Sequence, residues 1–530
     1  MQSHRSGMWN GSRAFMRRRS RWGRQKGGSM PQDVDMAEVR NELKAGTLST
    51  ADAVAMAVAV LSPAMAMAYN TSFAASFAGT STPFAFLLGG IGCLALAFVV
   101  ISFTRRMASA GYAYTYASRT LGQNAGFLTG WLYFFGFFCF VPMTMAGVGG
   151  FTRDLIASEW WSGIPSWSWF AIFVIGMTLL LALTIYDIKL NARTQLLVGA
   201  LTVGVIVILD LIVTFKGGAH GQDLSALGPG HTLKGGFQGI GFGLIFGVLS
   251  YIGFETSAVL GEETRNPRKA IPASILIAVI FAIVFYVWTT YVIAIGVGVS
   301  KAGSAKWASD PTVLADTATR YSGHFLSVLI SIAAILSAFV VCLACATAAA
   351  RTMFAMGREG TLPAWFGKTH RTYKTPVNAT LAIAGLATIV AIVVGFFWDY
   401  GSGPFTVFGL LASIGGLAVT VVYIVLCAAG IAWFRKNSER YNVVSHLLVP
   451  LVGVIIFGFG VYGSIYPGAT LHLPYAIIPW VVLGWIVAGI VVLMYLHGNH
   501  PDRVAKIGSM LGEEGGEAAA ALDVPATTGA

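Results

Sequence analysis

Residues Phe246-Gly-Val-Leu-Ser-Tyr-Ile-Gly-Phe-Glu255 place one carboxylate, two glycines and a serine inside an apolar run that extends from Phe237 to Gly261. A helix crossing a bilayer is expected to be uniformly apolar, because an ionisable group at its centre costs about 2.5–3.5 kcal/mol even on lenient insertion scales. Gly247 and Gly253 let the backbone leave helical geometry. The carbonyls and amides so released must face protein, water or a solute. A short helix, a break and a second short helix at membrane depth is how many secondary transporters hold a solute. The stretch predicts an all-α membrane protein of the carrier class.

The rest of the chain is consistent with life in lipid. It is 56% hydrophobic and only 11% charged, where soluble domains carry about 25% charged residues. A span needs about 20 apolar residues, and twelve candidates are found: 52–79, 83–104, 124–151, 167–187, 195–215, 237–262, 272–299, 325–356, 376–397, 404–434, 444–466 and 475–496. The first thirty residues hold eight Lys/Arg and no apolar core, so they do not read as a signal peptide. The net charge of +11 raises the question of nucleic acid, but the basic residues lie mostly in short connectors, as orientation signals do. Placing the N-terminus in the cytoplasm puts 28 of the 34 Lys/Arg on that side. With twelve spans the C-terminus lies there too. The expected setting is the cytoplasmic membrane, with lipid and a small solute as partners and no nucleic acid.

Cys93, Cys139, Cys342, Cys345 and Cys427 all fall within apolar runs. Without a second pair or a nearby histidine, the C-x-x-C at 342–345 reads as packing rather than redox or metal chemistry. No metal or cofactor is expected.

Residues 1–44 form a basic tail, Arg/Ser/Gly-rich over 1–30, and the Gly/Ala/Glu-rich stretch 497–530 closes the chain; both are read as tails without structure of their own. A start of translation at Met30 or Met36 would account equally well for the first of them. Pro311 to Arg320 reads as a short amphipathic segment between spans 7 and 8. Span 1 is interrupted at Leu61-Ser-Pro-Ala-Met-Ala-Met-Ala-Tyr-Asn70, as span 6 is at 247–255. An odd number of spans per unit makes a second copy insert upside down. Interruptions at matching places in two inverted halves point to a midplane site.

At the level of motifs the chain resembles the amino acid–polyamine–organocation superfamily of permeases. Ser250-Tyr-Ile-Gly-Phe-Glu255, followed by Gly261-Glu-Glu-Thr-Arg-Asn-Pro-Arg-Lys-Ala-Ile-Pro272, is similar to its broken sixth helix and the loop beyond. Ala350-Arg-Thr-Met-Phe-Ala-Met-Gly-Arg-Glu-Gly-Thr-Leu-Pro363 with Lys374-Thr-Pro-Val-Asn378 resembles its eighth-helix exit. Ala110-Gly-Tyr-Ala-Tyr-Thr-Tyr116, Leu121-Gly122 and Gly130-Trp131 are similar to its second connector and third span. The resemblance implies a leucine-transporter-like fold: repeats over 45–215 (spans 1–5) and 237–434 (spans 6–10), then two further spans over 444–496. It also implies a secondary active transporter for an amino acid or related amine, with proton symport as the expected mode and exchange as the alternative.

The chain departs from that family at three places. Its span 1 break is Ser62-Pro-Ala-Met-Ala-Met-Ala68 rather than glycine-rich, and the aromatic gate expected before Gly253 falls on Val248 or Leu249. Some proton-coupled relatives carry a lysine in span 5; here the nearest register holds Thr202, with Asp210 two turns on.

The candidate solute-binding groups are the backbone of Ser62, Ala64, Met65, Ala66, Met67 and Ala68, with Leu249, Ser250, Ile252 and Gly253 opposite. A carboxylate suits free amides at a half-helix N-terminus, and an ammonium suits the carbonyls of an unwound segment. Coupling or gating falls to Glu255, Tyr251, Thr202 and Asp210. Glu255 has three open roles: accepting an ammonium, carrying a coupled proton, or bracing the broken helix. For Asp210 the ordinary alternative is a place at the water interface. The aromatic stripe of span 3 reads mainly as packing. Trp160-Trp161 and Trp167-Ser-Trp169 read as an interfacial belt.

An enzyme would need embedded nucleophiles or histidine–carboxylate pairs, yet all nine histidines fall in tails, connectors or span ends. The sequence thus predicts no catalytic residues. A receptor or channel on the same fold is the alternative from a different class.

Overall fold

Runs of apolar residues this long can satisfy their backbone in a bilayer only as helices or closed barrels. In the computed structural model the described residues are helical throughout their regular segments and include no strand. The structure describes residues 61–105, 112–186, 192–255, 267–370, 375–397, 403–437, 441–466 and 475–505, with residues 54, 57, 58 and 373. The expected tail 1–44, most of the first half of span 1, the 261–266 part of the loop after span 6 and residues 506–530 lie outside them.

Ten helices among the described residues are long and apolar enough to cross a membrane. The first, Pro63–Thr104, has 42 residues. At 1.5 Å per residue that is about 63 Å, twice the ~30 Å of a hydrocarbon core. It contains two spans, parted by the 3-10 turn Gly79–Ser81, where Gly79 takes a φ of 58°. Span 6 is the shorter apolar helix Gly236–Tyr251. Each of the twelve expected spans therefore has its helix. Beyond the first, they run Thr82–Thr104 (span 2), Gln123–Glu159 (3), Ser168–Ile185 (4), Ala192–Lys216 (5), Gly236–Tyr251 (6) and Pro267–Val297 (7). Spans 8 to 12 are His324–Glu359, Val377–Phe396, Pro404–Asn437, Val449–Ile465 and Ile478–Asn499.

The packing follows a rule of five. Spans 1 and 6, 2 and 7, 3 and 8, and 4 and 9 pack on each other. Span 3 also packs on span 10, as span 8 does on span 5; span 2 packs on span 10, as span 7 does on span 5. Replacing each span by the one five places away maps these contacts onto one another. Spans 11 and 12 stand apart from this pattern: span 11 covers spans 2, 6 and 10, and span 12 covers spans 3 and 10. Small residues permit the central approach. A Cβ placed on Gly247 would meet the Ala85 carbonyl at 3.3 Å, and one on Gly89 would meet the Val248 amide at 3.3 Å.

The connector after span 7 forms two short helices, Lys301–Ser309 and Val313–Ser322. The first packs on the end of span 1: the Ser72 hydroxyl donates to the Asp310 carbonyl at 2.8 Å, and the Thr80 amide donates to Ser304 Oγ at 3.0 Å. Two expectations need correction. Trp160, Trp161 and Trp167 are exposed as a belt requires, but Trp169 is buried and stacks on Phe396 with centroids 5.5 Å apart. It lies two residues along from Trp167 and so faces the other side of span 4, toward span 9. The stretch 497–530 also opens with structure. Span 12 continues to Asn499, and the helical turn Pro501–Ala505 follows, anchored by Arg503 donating to the Gly360 carbonyl at 2.8 Å.

Candidate functional site

Pro63 decides the geometry of the first break. Its ring removes an amide donor and disfavours helical geometry in the residue before it. Ser62 accordingly leaves the helix with φ 48° and ψ 60°, and a new helix starts at Pro63. A left-handed non-glycine residue is strained and persists only when its surroundings hold it. Here they do: Ser62 Oγ donates to the Ser337 carbonyl at 3.0 Å and lies 2.5 Å from Ser337 Oγ, in span 8. The Leu61 carbonyl just before it accepts the Tyr286 hydroxyl of span 7 at 3.1 Å. A wide π turn, Ala66–Asn70, follows before ordinary helix resumes over Thr71–Ala78.

The second break faces the first. Span 6 ends at Tyr251; Ile252 turns to φ −59°, ψ 130°, and Gly253 takes φ 119°, a value side-chain-bearing residues rarely adopt. Asn70 Nδ2 donates to Ser250 Oγ at 2.9 Å, tying the π turn of span 1 to the last helical turn of span 6. The Ser250 hydroxyl in turn donates to the Phe246 carbonyl at 2.8 Å. Tyr69 fills the space beside this tie, stacked on Phe408 and edge-on to Phe151.

Glu255 closes the unwound turn. Its Oε2 accepts the Gly253 amide at 2.9 Å, and its Oε1 accepts the hydroxyl of Tyr423, from span 10, at 2.8 Å. The residue is 1% exposed. Tyr251 points elsewhere, donating to the Phe86 carbonyl of span 2 at 3.1 Å.

The expected binding residues lie along these two breaks, and Ser62, Ala64, Met65, Ala66, Met67, Ala68, Leu249, Ser250, Ile252 and Gly253 are all buried. The span 5 residues form a separate group. Thr202 is buried and donates back to Gly199 of its own helix at 3.0 Å. Asp210 is 0% exposed, so the interface alternative does not describe it. Its Oδ2 accepts the Thr289 hydroxyl of span 7 at 2.6 Å, and its Oδ1 has no hydrogen-bond partner among the described residues.

The span 3 aromatics divide as packing would have them. Trp131 and Trp485 of span 12 stack at 4.7 Å and donate to each other's carbonyls at 3.0 and 3.1 Å, with Phe135 on the same tryptophan. Asn70, Tyr286, Ser337, Tyr423 and Thr289 are participants that sequence reasoning did not single out. Only Asn70 carried a signal, as a lone amide inside an apolar run.

Two interrupted helices facing each other in a bundle of membrane-crossing helices define an integral, multi-pass membrane transporter. The chain belongs to the amino acid permease family, whose profile matches residues 48–488. It is similar to a branched-chain amino acid permease of Lactococcus lactis, with 26% identity over 452 residues covering 79% of this chain and 91% of that one. It is also similar to a methylthioribose transporter of Bacillus subtilis, 24% identical over 81% of this chain and 90% of the relative. A low-affinity putrescine importer of Escherichia coli is 24% identical, again over 81% and 90%. The chain is a transporter and not an enzyme.

Proposed function

We propose that this permease accumulates a neutral or cationic amino acid or related amine by proton-coupled alternating access, with the solute held between the breaks of spans 1 and 6. The observation that carries the reading is the pair of breaks joined by Asn70 and Ser250, where unwound backbone is sequestered from solvent. Irregular backbone at membrane depth is tolerated where it lines a cavity or is buried in protein. The contact pattern relating each span to the one five away supports two inverted repeats, spans 1–5 and 6–10. The bias of Lys and Arg in the connectors supports cytoplasmic termini in the plasma membrane.

The charge preference rests on composition. The embedded parts of the twelve spans contain no Lys or Arg, so a strongly anionic solute has no fixed cation to meet. The named substrates of the three relatives, a branched-chain amino acid, methylthioribose and putrescine, are not dicarboxylates.

Within this reading Glu255 braces the broken helix, and Asp210 carries the coupled proton. Glu255 has both oxygens engaged by fixed donors. Asp210 has one oxygen without a partner among the described residues, in a place where an unpaired charge is expensive and a proton removes the charge. Its partner, Thr289, belongs to span 7, so the group also joins elements from the two halves.

Uptake into proteoliposomes tests the proposal. An acid-outside gradient should drive saturable accumulation of a neutral or basic amino acid or amine, and a protonophore should collapse it. Accumulation only against a preloaded counter-solute would assign exchange instead. Preference for a dicarboxylate amino acid, or flux without saturation, would overturn the reading.

A further inference from the structure

A groove of about 700 Å³ runs along the surface of the bundle between spans 2, 7, 10 and 11, away from the two helix breaks. Span 2 supplies its floor through Ile91, Leu94, Phe98, Ile101 and Arg105, spaced three or four residues apart and therefore on one helix face. That stripe is about 21 Å long at 1.5 Å per residue, longer than one leaflet of a ~30 Å hydrocarbon core. Leu276 of span 7 and Val452 of span 11 form exposed apolar walls.

One end of the groove is basic. Arg105 stands just past the last turn of span 2, and Arg435 and Lys436 lie in the last turn of span 10. Among the described residues none of the three has an ion-pair partner. His446 lines the same end and stacks on Phe434, with centroids 4.6 Å apart. Its Nδ1 accepts the Asn442 amide at 3.1 Å, which leaves Nε2 as the nitrogen that carries a proton and can donate. Cations at helix ends also serve as orientation anchors and complement the helix dipole. Neither role calls for an apolar channel leading away from them.

We propose that this groove is a binding site for a phospholipid with an anionic headgroup, its phosphate at Arg105 and His446 and one acyl chain along the span 2 stripe. Charge complementarity selects the headgroup, as basic pockets between spans do for acidic lipids. The length and apolar lining select the chain. On the orientation proposed above, this end faces the cytoplasmic leaflet. The lipid would bridge span 11 to spans 2, 7 and 10.

Native mass spectrometry of the full chain tests this, with phosphatidylglycerol and phosphatidylcholine of matched acyl chains as probes. The wild type should retain one phosphatidylglycerol with at least about tenfold preference. The double variant Arg105→Gln, His446→Gln should lose that preference while still binding either lipid weakly. Val452→Trp, which fills the groove from an exposed position, should release both lipids. Equal retention of the two lipids by the wild type overturns the proposal, as does undiminished preference in the double variant. If the double variant does not fold, Val452→Trp decides alone: retained phosphatidylglycerol on that variant overturns it. A dimer that is lost on Val452→Trp would assign the face to a second copy of this chain and likewise overturn it.

Discussion

Glu255 and Asp210 are the two buried carboxyl groups among the described residues, and they are held in opposite ways. Around Glu255 the protein supplies a donor for each oxygen: the amide of its own unwound turn and a tyrosine hydroxyl from span 10. Around Asp210 it supplies one threonine, and the second oxygen has no partner among the described residues. On the proposed reading, burial alone does not mark a coupling site. A fully engaged carboxylate acts as a fixed strut, whose removal exposes the need it met. A half-engaged one has spare capacity, which a proton fills and a conformational change can alter.

The sharpest way to break this comparison is Glu255→Ala. It removes the acceptor of both the Gly253 amide and the Tyr423 hydroxyl in a dry interior, at about 1–3 kcal/mol each. Thermal unfolding in detergent should show a loss of about 2–6 kcal/mol, with poor expression. Wild-type melting together with abolished pH-driven uptake would move Glu255 into the role given to Asp210. Tyr423→Phe sharpens the same side, because a hydrogen bond to a charged group contributes about 1.5–3 kcal/mol. This variant should melt earlier yet keep its pH-driven uptake per folded molecule.

Asp210→Asn is expected to do the reverse. The amide oxygen still accepts from Thr289, so melting should change little. Accumulation driven by a pH gradient should fall at least tenfold, about 1.4 kcal/mol, while solute counterflow persists. Unchanged pH-driven accumulation would remove Asp210 from the coupling scheme. The smallest effect belongs to Thr289→Val, which deletes one hydrogen bond of about 0.5–1.5 kcal/mol. Accumulation should drop about threefold, the lower part of that range. A collapse as deep as that of Asp210→Asn would mean that Thr289 itself handles the proton.

What the sequence could show depended on how far apart the interacting residues lie along the chain. The spans were legible because each needs its own apolar length. The breaks were legible because Pro63 and Gly253 act on their own backbone. The partners were not. Ser337 lies 275 residues from Ser62, and Tyr423 lies 168 residues from Glu255. Each sits in a helix whose composition gives no local reason to choose it over its neighbours. Trp169 was misread because a Trp-Ser-Trp run looks interfacial, although alternate residues on a helix do not share a face. For Asp210 the interface alternative arose because the residue lies near the outer end of span 5. What buries it comes from other helices, among them span 7 with Thr289.

The π turn at Ala66–Asn70 gives span 1 a screw thread. A π turn accommodates one residue more than the α-helical pattern does. Tightening it to 3.6 residues per turn would require everything beyond it to rotate by about 100°. That rotation would carry Asn70 off Ser250 and Tyr69 out from between Phe151 and Phe408. Such a rotation would turn the second half of the span without stretching a peptide bond, and the Asn70–Ser250 hydrogen bond is a contact that it would have to break.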